Sequence, residues 1–446
     1  MKFALSGRFS RIPYPLDLRV AERKFVLSFK RDARLSVRTG SFVFGAWMWF
    51  AFAVPLFAAE VLYNWVQLGP RTETIVRVIS RSPNCPALQV DGRSVTMNKR
   101  AEQAEHFPET VCEHHVVAPQ QIALGDKILP TLNPDVRRIV VIGDTGCRIR
   151  RGRVQACNDP VAWPLKSIAA EIAARSPDLI IHVGDYLYRS TECPEPDKCD
   201  GSPFGDSFQA WSADWLDPAE ELFSVAPFIF LRGNHESCGR GDKGWFRYFA
   251  PRSFPADCPA VTAPWVASVN GLDLIAFDAS AGSAPESSPE LLPIYGRMAR
   301  DVFANIKQET WLLTHRPLWV NMHAFGELID GDDTQRAAFS ATMPELLNLV
   351  LSGHIHAFQG IDLANGPVQL ISGNGGTLLD PMPTSMENNL EVAGSLASTV
   401  VNDSGFGFLM LTREGADGWW VDAMDSNGRL RLRCRLKGRA LSCDWP

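Results

Sequence analysis

The fold is decided by the stretch Leu179-Ile180-Ile181-His182-Val183-Gly184-Asp185-Tyr186-Leu187-Tyr188. Its first five residues predict a buried parallel strand, and Gly184 lets the backbone turn sharply where that strand ends. Asp185 would then lie at the carboxyl end of the strand, where open α/β sheets assemble their sites. Taken alone, the stretch also fits an ordinary structural turn.

Five predicted strands, this one included, end in polar clusters of the same kind. The clusters are Ile142-Gly143-Asp144-Thr145-Gly146, Gly184-Asp185-Tyr186-Leu187-Tyr188, Arg232-Gly233-Asn234-His235-Glu236, Leu313-Thr314-His315-Arg316-Pro317 and Ser352-Gly353-His354-Ile355-His356. They supply carboxylate, amide, imidazole and phenol groups, which suit Fe, Mn or Zn, and a phenolate favours ferric iron in particular. Seven such donors are too many for one ion but suit two that share a carboxylate. Two neighbouring metals can activate a water for phosphoryl displacement.

Residues 137–446 are predicted to form one catalytic domain in which strands alternate with helices. Helices are predicted at 164–175 and 289–306, and a hairpin turn at Asn427-Gly428. Strands are predicted at 138–142, 179–183, 227–231, 272–277, 310–313, 348–351, 368–371, 407–411, 419–423 and 430–436.

Residues 66–136 are predicted to form a small β module. Short β-like runs at 74–79, 88–90, 95–97 and 121–124 alternate there with turn residues such as Asp91-Gly92. His114-His115 could be a metal pair, but adjacent strand residues point to opposite faces, which favours a solvated edge.

The N-terminal region is predicted to reach a membrane. Residues 1–40 carry ten Lys or Arg and three acidic residues, a net charge of +7, and are predicted to be a basic cytoplasmic tail or the n-region of a signal segment. Residues 42–59 contain no charge, so 41–65 are predicted to be a transmembrane anchor or a signal segment that is cleaved. The rest would lie outside the cytoplasm, in the periplasm or at the cell surface.

All ten cysteines follow the apolar segment, which suits an oxidising compartment. The simplest pairing joins neighbours, as 85–112, 147–157, 193–199, 238–258 and 434–443. A zinc site is the rival interpretation, but the sequence has no Cys-x-x-Cys pair.

The charge of the exported part excludes one class of partner. Of the chain's 44 basic and 50 acidic side chains, residues 60–446 hold 34 and 47, a net of −13. We therefore expect no nucleic-acid partner, because binding to nucleic acid relies on a basic surface.

The five clusters, in order, resemble the signature of the calcineurin-like metallophosphoesterases, and specifically their purple acid phosphatase branch. Gly146 stands where most of that superfamily has a His ligand, and Tyr188 is present three residues after Asp185. The resemblance covers about residues 137–360. It implies an α+β sandwich of mixed sheets flanked by helices.

The resemblance also implies the ligands of two metals. One metal, expected to be ferric iron, would be held by Asp144, Asp185, Tyr188 and His356. The second metal would be Fe, Mn or Zn, with Asp185 bridging the two ions. Its ligands would be Asp185, Asn234, His315 and His354.

Three further residues are implied to act on the substrate. His235 resembles the family's phosphoryl-contacting His, and Glu236 would orient it. His323 is similar to another substrate-facing His, although the family's spacing from His315 is about one residue longer. His182 is predicted to be a core residue, and Arg232 and Arg316 could hold phosphate oxygens or form salt bridges.

The expected function is hydrolysis of a small phosphomonoester by a metal-bound water, with an acid phosphatase-like activity. Two alternatives are a phosphodiesterase or nucleotidase with the same centre, and a non-catalytic envelope binding protein that retains the fold. The oligomeric state is not predicted.

Overall fold

A computed structural model describes residues 60–282, 288–324, 327–415 and 418–445. The predicted tail 1–40 and residues 41–59 of the predicted membrane segment lie outside this range. The end of the predicted segment, residues 61–65, instead belongs to a β-strand, Val61–Leu68. Within it, no helix is both long enough and apolar enough to cross a bilayer.

Strands dominate the described part of the chain. In chain order they are β1 (Val61–Leu68), β2 (Glu73–Ser80), β3 (Ala87–Val90), β4 (Arg93–Thr96), β5 (Asn98–Ala101), β6 (Thr110–Val117), β7 (Ile122–Leu124), β8 (Lys127–Leu129), β9 (Arg138–Ile142), β10 (Ile149–Arg150), β11 (Arg153–Val154), β12 (Leu179–His182), β13 (Phe228–Phe230), β14 (Trp265–Val269), β15 (Leu272–Phe277), β16 (Glu309–Thr314), β17 (Met322–Ala324), β18 (Glu327–Ile329), β19 (Leu347–Ser352), β20 (Phe358–Leu363), β21 (Val368–Ser372), β22 (Ser385–Val392), β23 (Ser395–Asp403), β24 (Gly407–Glu414), β25 (Gly418–Asp425), β26 (Leu430–Lys437) and β27 (Ala440–Asp444).

The helices in the described residues are few and short. The α-helices are α1 (Leu165–Ala174), α2 (Pro196–Cys199), α3 (Phe208–Trp211), α4 (Asp242–Tyr248), α5 (Leu292–Phe303) and α6 (Asp333–Phe339). Single turns of 3₁₀-helix lie at Pro70–Thr72, Glu220–Ser224 and Asn234–Glu236, and a π-helical turn lies at Ser212–Leu216.

Two large sheets face each other across one apolar core. The first has the strand order β27-β26-β25-β24-β9-β12-β13-β1-β2-β6-β5, and the second has the order β14-β15-β16-β19-β21-β20-β23-β22. Val141 and Ile181 of the first sheet share a core with Trp311 and Leu349 of the second. Helix α1 packs on the outer face of the first sheet, and α5 and α6 pack on the outer face of the second. The predicted architecture of mixed sheets flanked by helices is confirmed.

The apolar runs are explained by burial on both faces of a strand. In β9, Ile139 and Val141 point into the core between the sheets, whereas Val140 and Ile142 point toward α1. Side chains alternate along a strand, so a strand that is covered on both sides must be apolar at every position.

Parallel pairing places the polar clusters at matching sheet edges. Strands β9, β12 and β13 run parallel in the first sheet, and β15, β16, β19 and β21 run parallel in the second. The carboxyl ends of parallel neighbours lie at one edge, which is where all five clusters begin.

Most predicted strands match within two residues, but some elements differ from the predictions. Helix α5 is shorter than the predicted 289–306. The short helices α4 and α6 and the hairpin of β22 and β23 were not predicted. The first strand of that hairpin is largely polar and exposed, so it carries no apolar pattern.

The strands of the predicted β module divide between two sheets. Strands β1, β2, β6 and β5 extend the first large sheet, because β1 pairs in parallel with β13. Strands β4, β3, β7 and β8 form a separate four-stranded sheet. The boundary at residue 136 remains a prediction, and hydrogen bonding of the first sheet continues across it.

All five predicted disulfides are present. They join Cys85 to Cys112, Cys147 to Cys157, Cys193 to Cys199, Cys238 to Cys258 and Cys434 to Cys443. Five disulfides indicate an oxidising, extracytoplasmic environment.

A buried ion cluster joins the added strands to the rest of the domain. Glu113 on β6 lies 2.5 Å from Arg77 and 2.9 Å from Arg100, and both arginine side chains are fully buried. Both arginines also donate to the carbonyl of Ala250. Burial alone would raise the pKa of Glu113, but a hydrogen bond from His115 and the charges of the two arginines outweigh it and lower this pKa to about 2.

We expect Glu113→Gln to destabilise the protein by about 3–5 kcal/mol, because two buried guanidinium groups would lose their only counter-charge in this cluster. Urea unfolding of the metal-free protein measures the change. The matched control is Glu414→Gln, which breaks the exposed pair of Glu414 with Arg435 and should change stability by less than about 1 kcal/mol.

The same cluster has a predicted pH dependence. Because the folded-state pKa of Glu113 is depressed, its stabilisation is complete above the ordinary value of 4.5 and is lost as the pH falls toward 2. The stability difference between wild type and Glu113→Gln should therefore shrink over that range, and a constant difference would contradict this assignment.

Candidate metal centre

The structure brings together the seven donor residues predicted from the five clusters. Asp144 follows β9, Asp185 and Tyr188 follow β12, and Asn234 follows β13 in the first sheet. The second sheet contributes the three histidines that follow its strands, which are His315 after β16 and His354 and His356 after β19.

The Tyr188 hydroxyl is the centre of the first group of donors. It lies 2.8 Å from Asp144 Oδ1, 2.9 Å from Asp185 Oδ2 and 3.1 Å from His356 Nε2. His356 Nε2 is 3.6 Å from Asp144 Oδ1. The other ring nitrogen of His356, Nδ1, lies 3.0 Å from the Leu378 carbonyl, so Nδ1 carries the proton and Nε2 keeps its lone pair.

The second group shares Asp185 with the first. Asp185 Oδ2 is 3.3 Å from His315 Nε2, which is 3.1 Å from Asn234 Oδ1. Ligand atoms of Asp185, His315 and His354 all lie within 4.8 Å of one another. His315 Nδ1 lies 2.8 Å from the Val183 carbonyl, which again leaves Nε2 as the free donor.

These two groups fit a pair of metal ions. Donors about 2.0–2.2 Å from one ion lie roughly 3 Å from each other, which is the spacing found here. Histidines fixed through Nδ1 by a backbone carbonyl are the usual arrangement for ligands that bind through Nε2. The donor set of oxygen and imidazole suits Fe, Mn or Zn.

The charges explain why this arrangement needs cations. Burial and the nearby charge of Asp185 raise the pKa of Asp144 well above its ordinary value. Burial opposes ionisation of Asp185 as well, but His315 and His235 outweigh it and lower its pKa. Two buried carboxylates this close cannot both ionise easily without positive charge between them.

Backbone strain is concentrated on the same residues. Asp144, Asp185 and His354 have positive φ angles of 55°, 62° and 72°, a region that residues with a Cβ rarely adopt. Such strain is typical of functional sites, where the surrounding structure holds a side chain in a required direction.

Comparison with known proteins identifies the domain that carries these donors. Residues 137–358 match the family model of the calcineurin-like phosphoesterases. This part of the chain is a calcineurin-like phosphoesterase domain. The family supports a hydrolase that acts on phosphoesters. No match to a curated protein was found.

Two solved structures share the fold at low sequence identity. A purple acid phosphatase, PPD1, from yellow lupin (Lupinus luteus) seeds is 14% identical with a TM-score of 0.58, covering 83% of this chain and 73% of that chain. PhoD is 10% identical with a TM-score of 0.52, covering 87% of this chain and 93% of that chain. At these identities the likeness shows the fold alone.

Gly146 of the phosphoesterase domain has no space for a side chain. A Cβ at Gly146 would lie 2.2 Å from the Tyr186 carbonyl and 2.9 Å from Asp214 Oδ2. The loop that carries Tyr188 therefore occupies the place where a histidine would extend.

Asp214 anchors that loop and was not predicted. Its buried carboxylate accepts hydrogen bonds from the backbone N–H groups of Tyr188 and Cys147, at 2.8 and 3.0 Å, and pairs with Arg189 Nε at 2.6 Å. No sequence pattern around Asp214 indicates this role, since it lies far from the five clusters in the chain.

His235 lies beside the donor groups, with its ring centroid 3.8 Å from that of Tyr188 and the two ring planes tilted by 33°. Its Nδ1 is 2.8 Å from the Leu187 carbonyl, and its Nε2 is 4.0 Å from Asp185 Oδ2. Burial lowers the pKa of His235 to about 3, so the imidazole is neutral in the metal-free protein.

Glu236 acts on the backbone rather than on the ring of His235. Its carboxylate accepts hydrogen bonds from the N–H groups of Asp185, Tyr186, Leu187 and Gly233 at 2.9–3.2 Å. Glu236 therefore holds the turn that presents Asp185. It supports the His235 ring indirectly, because that turn includes Leu187, whose carbonyl orients the imidazole.

The other predicted residues lie in different surroundings. The His323 side chain on β17 is exposed, and in the described residues no hydrogen bond or ion pair joins it to the donor groups. His182 is fully buried and its Nε2 lies 3.0 Å from the Thr145 hydroxyl, as expected of a core residue. Arg232 donates to the carbonyls of Glu236 and Pro259, which makes it a structural arginine.

We expect Glu236→Gln to weaken metal binding by about 10- to 100-fold, because an amide can accept through only one of its two polar atoms and the turn at Asp185 would lose support. Competition with a chelator measures the affinity. Glu171→Gln, which alters the partly exposed pair of Glu171 with Arg175 on α1, is the control and should bind metal as the wild type does. Unchanged affinity in both variants would contradict the role given to Glu236.

Proposed function

We propose that this protein is a dinuclear metallophosphoesterase that hydrolyses small phosphomonoesters. The observation that carries this proposal is the convergence of seven donor side chains from five strand ends on Asp185, at spacings of 2.8–3.6 Å where they are in direct contact. The match of residues 137–358 to the calcineurin-like phosphoesterase family model supports the same class of reaction.

Two ions are assigned to the two donor groups. Asp144, Asp185, Tyr188 and His356 would hold one ion, for which the phenol favours ferric iron. Asp185, Asn234, His315 and His354 would hold Fe, Mn or Zn. When bound, such a pair supplies a nucleophile at moderate pH and neutralises charge on the phosphoryl group.

The chain's own residues orient the reacting groups and protonate the leaving oxygen. With Nδ1 held by the Leu187 carbonyl, His235 presents Nε2 to the site. The negative charge of a bound phosphoryl group would raise the pKa of this buried ring, and the charged ring can then pass a proton to the departing ester oxygen. Asp185 Oδ1 accepts the His235 backbone N–H at 2.8 Å. This hydrogen bond fixes the position of His235 relative to the metal ligands.

A cavity of about 440 Å³ opens beside His235 and has room for the leaving group of a small ester. Arg240 and Lys243 line it and offer cationic groups to a phosphorylated molecule, and the carboxylates of Asp206 and Asp242, also in its lining, accept backbone N–H groups. These features suit a small phosphorylated molecule better than a long polymer.

The compartment follows from the disulfides. We infer that the catalytic domain works outside the cytoplasm, and we propose that the N-terminal segment attaches it to a membrane or directs its export. Mass measurement of the N-terminus of the purified native protein distinguishes an anchor from a cleaved signal.

Asp185→Asn should reduce the metal content and lower turnover of an aryl phosphomonoester by roughly 10²–10³-fold or more, because the one shared ligand loses its charge. Elemental analysis and turnover, each with and without chelator, measure these effects. Asp301→Asn on the exposed face of α5 is the matched control and should keep the metal content and the turnover of the wild type.

Two outcomes would contradict the proposal. Turnover that is absent from the metal-loaded wild type would favour a binding protein that retains the fold. Faster hydrolysis of diesters than of monoesters would favour the phosphodiesterase alternative. For the metal, a tyrosinate bound to ferric iron should give a violet charge-transfer band, and an active, iron-free, colourless enzyme would rule out that assignment.

His235→Asn should lower kcat by about 10²–10⁴-fold for alkyl phosphates, whose leaving oxygen needs a proton. Aryl phosphates leave more easily, so their hydrolysis should fall much less. Steady-state kinetics with both esters measure the difference, and His106→Asn serves as the control because its exposed side chain lies outside the phosphoesterase domain and was given no role in the site. An equal loss with both esters would contradict proton donation by His235.

A further inference from the structure

Arg148 is a buried arginine at the metal centre that no motif accounts for. Only 7% of its surface is exposed, and its guanidinium lies 4.6 Å from the centre of the Tyr188 ring. Its Nη2 is 3.4 Å from His356 Nε2, while its Nε is buried without a hydrogen-bond partner. Within the described residues it forms no ion pair with a carboxylate.

The loop around Arg148 is rigidly anchored. Its backbone N–H donates to Gln155 Oε1 at 3.0 Å, and its carbonyl accepts from the Gln155 N–H at 2.9 Å. The disulfide between Cys147 and Cys157 closes the loop. A buried charge held this firmly is positioned for a specific partner.

The contact with His356 cannot persist when that histidine binds a metal. His356 Nδ1 is held by the Leu378 carbonyl, so Nε2 offers a single lone pair. A metal and Arg148 would compete for it. Once the metal takes it, Arg148 Nη2 loses that acceptor while the buried Nε–H already has none, and such groups are costly unless an acceptor arrives.

Arg316 provides a comparison, because its Nη1 lies 3.1 Å from His354 Nε2 and its Nε also lacks a partner. Arg316, however, shares a cavity of about 110 Å³ with Asp332, whose Oδ2 is likewise buried without a partner. A water between the two groups would satisfy both. The described residues offer Arg148 no such carboxylate.

We propose that Arg148 binds a non-bridging oxygen of the substrate's phosphoryl group. The inference rests on the proposed function, since it requires a metal on His356. A guanidinium is suited to an oxyanion because its N–H groups form a planar fork. The dianion of a phosphomonoester, with more charge than a diester, would benefit most.

The test is calorimetric binding of inorganic phosphate to the metal-loaded protein. Arg148→Met should weaken binding by about 10- to 100-fold, the effect of losing hydrogen bonds to a charged group, at unchanged metal content. Arg150→Met, two residues along the same loop but exposed, removes the same charge and should bind phosphate as the wild type does. Arg148→Lys, which keeps the charge without the fork, should show a smaller loss and serves if Arg148→Met does not fold.

Three results would overturn the proposal. One is phosphate affinity in both Arg148 variants equal to that of Arg150→Met. Another is a loss of metal with normal phosphate affinity at equal metal occupancy, which would make Arg148 a positioning residue for His356 or Tyr188. The third is a wild type that binds no phosphate. Arginine-dependent phosphate binding without ester turnover would instead support Arg148 and contradict the proposed function.

Discussion

The buried carboxylate of Asp185 is the group on which the architecture of the site depends. One of its oxygens accepts the His235 backbone N–H, and the other faces the Tyr188 hydroxyl and His315 Nε2. A buried charge is tolerated only when such partners surround it. Because His315 comes from the second sheet and the others from the first, Asp185 is satisfied only when the sheets dock with their carboxyl edges aligned. The apolar core between the sheets supplies the favourable free energy for that docking.

The strained backbone positions at this sheet edge are held by buried carboxylates. Positive φ angles at Asp144, Asp185 and His354 are unfavourable on their own. The Glu236 carboxylate stabilises the turn at Asp185 through four backbone N–H groups, and Asp214 does the same for the Tyr188 loop. Each carboxylate arrives from elsewhere in the chain, so the donor positions are set before any metal binds. Rigid ligands of this kind are what a two-metal site requires.

Local patterns explain how much of this was predictable from sequence. A strand buried on both faces must be apolar, so β9 and β12 could be recognised, and the ligands directly follow such strands. Neighbouring cysteines close short loops, and all five predicted pairs are present. Asp214 and Arg148 could not be identified, because their importance depends on contacts made by the folded chain. The same reason applies to Glu236. The sequence predicts that it orients His235 directly, but its carboxylate binds backbone N–H groups of the turn at Asp185.

The pairing of β1 with β13 shows why the region before residue 137 matters to the site. Without β1, strand β13 would be the edge of the parallel part of the first sheet, and exposed edges are open to misplaced pairing. Strand β13 leads directly into Asn234 and His235, so movement of that edge would displace a ligand and the proposed proton donor together. The buried cluster of Arg77, Arg100 and Glu113 fastens the added strands to the Ala250 carbonyl, close behind helix α4. The N-terminal strands therefore stabilise the part of the catalytic sheet that carries these two residues, which a separately folded, loosely attached module could not do.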